Sequence, residues 1–277
     1  MQQYLSLTTL LRSLAVVLCL TCWGVGCRAA TPNAQSDATF RVMTYNIHHG
    51  EGVDGKVDLP RIAELIRRER ADLVALQEVD KGTERTARRD LGAELAALTG
   101  LTCVFSNNHS FQGGEYGNAI LTRFPVAQAT NTHYRKVNET EQRGLLQATL
   151  LVRGRELVLL ATHLDHRRDD AARWSNVGEI EALVKPQGER PMLLCGDFND
   201  VPSSRVCRRL SELFDDTWLR VGRGEGFTIP AEKPNRRIDY IWFSKTGALV
   251  PVRIWVPESE ASDHRPVVAE FRWNTAR

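Results

Sequence analysis

Several stretches of this chain place carboxylates, amides and imidazoles at the ends of apolar runs. In Met192-Leu-Leu-Cys-Gly-Asp-Phe-Asn-Asp200, a run that reads as a core strand stops abruptly at Asp197, Asn199 and Asp200. Asp263 and His264 stand just before a second such run, 267–273. Asn46 with His48, Glu78, His163 with Asp165 and His166, and Asp239 are further polar breaks at or just past strand-like segments. Groups at the carboxyl ends of strands emerge together beside a cleft.

Burying a carboxylate without a partner or a metal costs several kcal/mol, so many acids at one sheet edge call for a cation. The set is rich in oxygen and free of thiolates, which suits Mg²⁺, with Mn²⁺ as its substitute. An ion held this way polarises a phosphoryl oxygen and offsets charge on the leaving oxygen, which points to phosphate ester hydrolysis. Singly, each residue has a plainer reading. Glu78 reads equally as a strand-end acid facing water, His163 as a hydrogen-bonded core histidine, and Asp239 as the partner of Arg236 or Arg237. A zinc site through His163 and His166 is disfavoured, because they follow a strand rather than share a helix face.

These residues need a scaffold in which strands and helices alternate. Strand-like runs are 40–47, 73–79, 103–106, 118–122, 147–152, 156–164, 192–195, 238–244, 252–256 and 267–273. Helical patterns cover 59–70, with Asp58 as its cap and Pro60 in its first turn, 90–99, 169–184 and 204–214. Runs 147–152 and 156–164, joined by Arg153-Gly-Arg155, read as a hairpin, so the sheets cannot be all parallel. One mixed domain, 39–277, is expected.

With 277 residues and 42% hydrophobic content, a sizeable core is available. The formal charge of +2 lacks the basic footprint of a protein that lives on nucleic acid. Residues 1–27 carry one charge, Arg12, and an apolar or small stretch from Ser13 to Gly26, the pattern of an export signal. Gly24-Val-Gly-Cys27 reads as a lipoprotein box that would lipidate Cys27, and Cys27-Arg-Ala29 as an ordinary cleavage site instead. Residues 28–38 read as a tether. Sparse cysteines, with Cys195 inside a strand, argue against a disulfide scaffold and a thiolate zinc site.

Thr44-Tyr-Asn-Ile-His-His-Gly50, Leu76-Gln-Glu-Val79, Thr162-His-Leu164, Gly196-Asp-Phe-Asn199, Arg237-Ile-Asp-Tyr240 and Ser262-Asp-His264 together resemble the motifs of the endonuclease/exonuclease/phosphatase superfamily, in its order and across nearly the whole chain after the signal. The resemblance implies an α/β (α+β) fold: a four-layer α/β/β/α sandwich of two mixed sheets flanked by helices. It implies that Glu78 is the principal Mg²⁺ ligand, with Asn46 and Asp263 close to the metal. Asp197 would orient or deprotonate the attacking water and Asn199 would hold a phosphoryl oxygen. His264, oriented by Asp239, would act as base or phosphate stabiliser, and His163 would contact the phosphate or assist the leaving group. The base stays open among these groups. His48, where many members carry an acid, would serve the metal or the phosphate, and His49 its loop. His166, Asn118 and Arg143 are further candidates for the cleft, against sheet-edge packing for the last two. The opening motif, with Asp54-Gly55 and Asp80, resembles a bacterial group related to proteins of lipid-anchor remodelling in eukaryotes.

The expectation is therefore an exported Mg²⁺-dependent phosphoesterase, periplasmic, extracellular or anchored at a membrane through Cys27, and monomeric. A lipid headgroup or small-molecule phosphodiester is the favoured substrate. An extracellular nuclease is the alternative, for which Arg85-Thr-Ala-Arg-Arg89 is the only dense basic tract near the motifs, a tract that also reads as a solvated face. A non-catalytic module keeping the fold would be expected to have lost the metal acid or the Asp and His pair, and both are present.

Overall fold

A computed structural model of the chain describes residues 39–138 and 140–275. The expected export signal, the tether and Cys27 lie outside the described residues. The first half runs β1 (Thr39–Asn46), α1 (Leu59–Arg68), β2 (Leu73–Lys81), α2 (Leu91–Thr99), β3 (Thr102–Phe111), β4 (Gly114–Thr122), β5 (Val126–His133) and β6 (Gly144–Val152). The second half runs β7 (Arg155–His163), α3 (Ala171–Val184), β8 (Met192–Asp197), α4 (Arg205–Leu213), β9 (Phe214–Asp216), α5 (Thr217–Val221), β10 (Asp239–Ser244), β11 (Leu249–Trp255) and β12 (Val267–Trp273). Side-chain caps set the starts of α1, α2 and α4: Asp58 accepts from the Arg61 amide, Asp90 from Ala93 and Ser204 from Cys207.

The strands form two six-stranded sheets, ordered β11-β12-β1-β2-β4-β3 and β5-β6-β7-β8-β10-β9. Each sheet is mixed and has a single parallel pair, β1 with β2 and β7 with β8. The expected β6–β7 hairpin is present, its turn made by Arg153 and Gly154, both at positive φ as a tight hairpin twist requires.

Three apolar layers account for the four-layer sandwich. Val42, Ala75, Ile120, Leu159, Leu193 and Ile241 fill the space between the sheets. Met43, Tyr45 and Val74 face Ile62, Ile66, Leu91 and Leu95 of α1 and α2. On the far side, Val158, Leu160, Leu194 and Trp242 face Val177 and Ile180 of α3 and Val206 and Leu210 of α4. Alternation along each strand therefore splits its residues between an inter-sheet core and a helix-facing core.

Two strands and one helix lacked a signal in the sequence. β5 is an edge strand with exposed and half-buried positions only, so Val-Ala-Gln-Ala-Thr-Asn-Thr-His shows no buried face to read. β9 and α5 span three and five residues, too short for either periodicity to register.

Candidate active site

The alternation that fills the inter-sheet core also builds the site. Val42 and Thr44 lead to Asn46 on one face of β1, Leu159 and Ala161 to His163 on β7, Leu193 and Cys195 to Asp197 on β8, and Ile241 is preceded by Asp239 on β10. The inward position at the cleft end of each strand is thus polar. Pairing aligns them, with His163 opposite Asp197 and Asp197 opposite Asp239. Glu78 arrives differently. Between the pairs Leu76 with Ala119 and Val79 with Gly117, two residues of β2 oppose the single Asn118 of β4. Glu78 occupies this bulge with φ at +60°.

Asn46 joins the two sheets at the floor of the cleft. Its Nδ2 donates to Glu78 Oε1 at 2.9 Å and to Asp197 Oδ2 at 3.0 Å, while its Oδ1 accepts from the His48 amide at 3.1 Å. Because a backbone N–H can only donate, it fixes which end of the Asn46 amide faces the acids. The Asn46 oxygen, with two lone pairs, keeps one beyond the His48 bond, while its nitrogen clasps the carboxylates.

His264 Nδ1 donates to Asp239 Oδ2 at 2.9 Å, and its Nε2 stands 3.7 Å from Asp197 Oδ2. Thr228 Oγ1 donates to the same Asp239 oxygen at 2.6 Å. Burial alone would discharge this histidine, but the carboxylates of Asp239 and Asp197 outweigh it and push the imidazole up to about 10. Asp197 is raised from the usual carboxylate range, first by burial and then by Asp239. Asp239 pairs with His264 rather than with Arg237, whose guanidinium holds Asp216 at 2.8 Å.

His163 is buried at the cleft wall, with Arg143 Nη1 2.9 Å from its Nδ1, and with Asn199 Nδ2 3.1 Å and Asp197 Oδ2 3.5 Å from its Nε2. The Arg143 guanidinium thus covers the Nδ1 edge of the ring, and the Nε2 edge faces Asn199 and Asp197. Asn199, at φ +51°, donates its backbone N–H to Asp197 Oδ1 at 2.8 Å and its side chain to Leu164 O at 3.0 Å. Gly196 is required on β8 because a Cβ there would meet Thr162 O at 2.1 Å.

The cleft measures ≈ 480 Å³ and brings Glu78, Arg143, His163, His166, Asp197, Asn199, Asp263 and His264 to one surface. Asn118 is not on that surface: it is a buried strut whose Nδ2 approaches Gly144 O at 3.4 Å and Ala161 O at 3.5 Å across the sandwich. His48 is partly exposed at the rim, 3.9 Å from Asp263 Oδ1. Sequence reasoning missed the opposite wall, made by Arg85, His109, Phe111 and Tyr116. Arg85 is not part of a solvated face. It chelates the buried Asp80 with bonds of 2.7 and 2.8 Å and lies over the rings of Phe111 and Tyr116.

The donor set suits a hard divalent cation at Glu78 and Asp263. Both carboxylates line the cleft, and the hydrogen bonds they accept come from neutral groups, Asn46 for Glu78 and Ser262 Oγ at 3.2 Å for Asp263. Asp197, Asp239 and His264 also converge, with donor atoms within 4.8 Å of one another. In that trio the His264 imidazole already pairs with Asp239 at 2.9 Å and faces Asp197 at 3.7 Å.

The endonuclease/exonuclease/phosphatase family model matches residues 43–264. The uncharacterized protein YbhP of Escherichia coli K12 is 28% identical over 264 residues, covering 87% of this chain and 99% of that protein. A solved endonuclease/exonuclease/phosphatase from Beutenbergia cavernae is similar at a TM-score of 0.71 and 28% identity, over 86% of this chain and 72% of the other. A mannosyl-6-phosphatase from Bacteroides thetaiotaomicron has the same fold at a TM-score of 0.71 and 18% identity, over 84% of this chain and 99% of its own.

Proposed function

This chain belongs to the endonuclease/exonuclease/phosphatase family, whose members hydrolyse phosphate esters, and from that premise we propose that it is a Mg²⁺-dependent phosphodiesterase acting on a lipid headgroup or small-molecule diester. The observation that carries the reading is the single amide of Asn46 clasping Glu78 and Asp197, which puts a metal acid and a water-side acid in one cleft. Bound at Glu78 and Asp263, the cation would neutralise charge on the phosphoryl group.

The chain's own residues supply the rest. Asp197 is held by Asn46 and the Asn199 amide, and its raised affinity for protons suits it to orient water and accept its proton. His264, kept cationic by Asp239, faces the same space and would stabilise negative charge as attack proceeds. Asn199 and His166 line the same cleft and would hold phosphoryl oxygens.

A small substrate is favoured by the cleft's size and by Phe111, Tyr116 and Ile229 on its walls. The export signal read in residues 1–27 would place the enzyme outside the cytoplasm, free or anchored through Cys27. Turnover of bis-p-nitrophenyl phosphate, sphingomyelin, glycerophosphodiesters and plasmid DNA, each with Mg²⁺ and with EDTA, tests the proposal. Hydrolysis that persists in EDTA, or none of any ester, overturns it.

A further inference from the structure

We propose that Arg143 is a positioning residue that fixes the tautomer of His163, so that His163 meets the phosphoryl group as a neutral Nε2–H donor and does not serve as the base. The inference rests on reading the cleft as a phosphoesterase site.

Arg143 is the cation buried in the floor of the cleft, with Nη2 held by Glu141 Oε2 at 3.2 Å and the Tyr116 hydroxyl beside it. Its Nη1 lies 2.9 Å from His163 Nδ1. A guanidinium has five hydrogens to donate and no lone pair to accept with, so a hydrogen bond at this distance requires a lone pair on Nδ1. A neutral imidazole with a bare Nδ1 carries its proton on Nε2. Placing a proton on Nδ1 would aim an N–H at a guanidinium in a buried setting. Burial, and after it the charge of Arg143, accordingly holds His163 well below the ordinary histidine range.

The opposite edge of the ring gives the tautomer its use. His163 Nε2 is 3.1 Å from Asn199 Nδ2, and that amide nitrogen already donates one hydrogen to Leu164 O at 3.0 Å. With the proton on Nε2, two N–H groups converge, and Asp197 Oδ2 stands 3.5 Å from Nε2. Adjacent donors of this kind fit an anionic oxygen arriving with the substrate, and a phosphoryl oxygen meets that requirement. Were Nε2 bare instead, it would repel that oxygen. Arg143 therefore acts on the substrate through the ring between them, and the base must be sought at Asp197 or a group behind it.

The test uses the full chain with ¹⁵N-labelled histidine, in EDTA, with His163 assigned by its loss in His163→Asn. Wild type should show an unprotonated Nδ1 and a protonated Nε2. Arg143→Gln, whose amide can accept as well as donate, should mix the tautomers and lower kcat on the order of tenfold or more. Arg143→Lys, which can only donate, should keep the Nε2–H form and recover most of that loss. A wild-type His163 protonated on Nδ1, or on both nitrogens, overturns the inference, and that spectrum alone decides if the Gln variant does not fold. A Gln variant with the Nε2–H form intact overturns it as well. Wild type that holds the Nε2–H form yet turns over no phosphate ester supports the tautomer and contradicts the proposed function.

Discussion

Asn46 and Asp197, 151 residues apart in sequence and on different sheets, are joined by a 3.0 Å hydrogen bond. The same amide nitrogen reaches Glu78 at 2.9 Å, so one neutral side chain sets the spacing between the two carboxylates. Asn46→Leu keeps the volume and removes both bonds, leaving Asp197 buried with one acceptor oxygen short of a donor. The expected loss is about 1–3 kcal/mol of stability, with kcat reduced on the order of a hundredfold as the two acids drift. Urea unfolding beside turnover of a chromogenic diester checks both. Full activity in the variant would show that the clasp is incidental.

The proposed placement of the metal at Glu78 and Asp263 is tested against the neighbouring Asp197, Asp239 and His264 trio. Glu78→Gln should weaken Mg²⁺ or Mn²⁺ binding by roughly tenfold or more, a scale typical of lost ligand or supporting groups. Asp239→Asn should leave the affinity near wild type while lowering kcat, because Asp239 serves His264 and not the ion. Calorimetry with Mg²⁺ and electron spin resonance with Mn²⁺ report the affinity directly. A loss of binding confined to Asp239→Asn would move the ion to the Asp197, Asp239 and His264 trio.

His264 has a definite sign of pH dependence. Its folded value, about 10, lies above the ordinary 6.5 because Asp239 and Asp197 prevail over burial. A raised value means that the proton binds the folded protein more tightly. The stability it contributes is whole below about pH 6.5 and is lost as pH rises through about 10. Metal-free wild type should therefore lose stability between pH 7 and pH 10, and His264→Gln should lose less over the same interval. Denaturant midpoints at several pH values, with the ring followed by NMR, test this. A His264 ring already neutral at pH 7 in the wild type would refute it.

How much of this was legible before the fold was known follows from what each residue contributes locally. Asp197 and His163 were visible because each ends an apolar run and Asp239 because it opens one, and alternation carries them inward on the parity of Leu193, Ala161 and Ile241. Glu78 was visible as a residue but not as a direction, since the bulge at Gln77 and Glu78 breaks the alternation that would have aimed it. Asn118 was misread for the converse reason. Its inward parity is genuine, yet it points at the Gly144 and Ala161 carbonyls behind the cleft. The wall of Arg85, His109, Phe111 and Tyr116 had no signature, because it is assembled by the β3–β4 hairpin folding over the 84–86 turn, a contact between segments that look polar and ordinary alone.

The glycine of Gly196-Asp-Phe-Asn199 is a second case in which backbone contact decides the residue. Thr162 O approaches to 2.1 Å from the position a Cβ would take, and rigid strand backbone cannot yield as a flexible side-chain end can. Gly196→Ala should cost about 1–3 kcal/mol, and by parting β8 from β7 it should separate Asp197 from His163. Thermal unfolding together with kcat tests this, and a variant as stable as wild type would show that the strands part at little cost.

The nuclease alternative turns on the arginines at 85, 88 and 89. A protein that tracks a nucleic-acid backbone needs cations free to release counterions. Here Arg85 is chelated by Asp80, Arg88 bonds to the carbonyls of Gly82 and Gln112 and to Glu84, and Arg89 holds Glu94 through several bonds. Each guanidinium is thus committed to an internal acceptor before any phosphate arrives. Plasmid nicking should accordingly be slow beside small-diester turnover and only weakly dependent on salt. Arg88→Ala and Arg89→Ala should leave both rates within about twofold, since neither residue lines the cleft and surface ion pairs contribute little. Nicking that matches small-diester turnover, falls steeply with salt and drops in these two variants would make the basic tract a strand-binding surface and DNA the substrate.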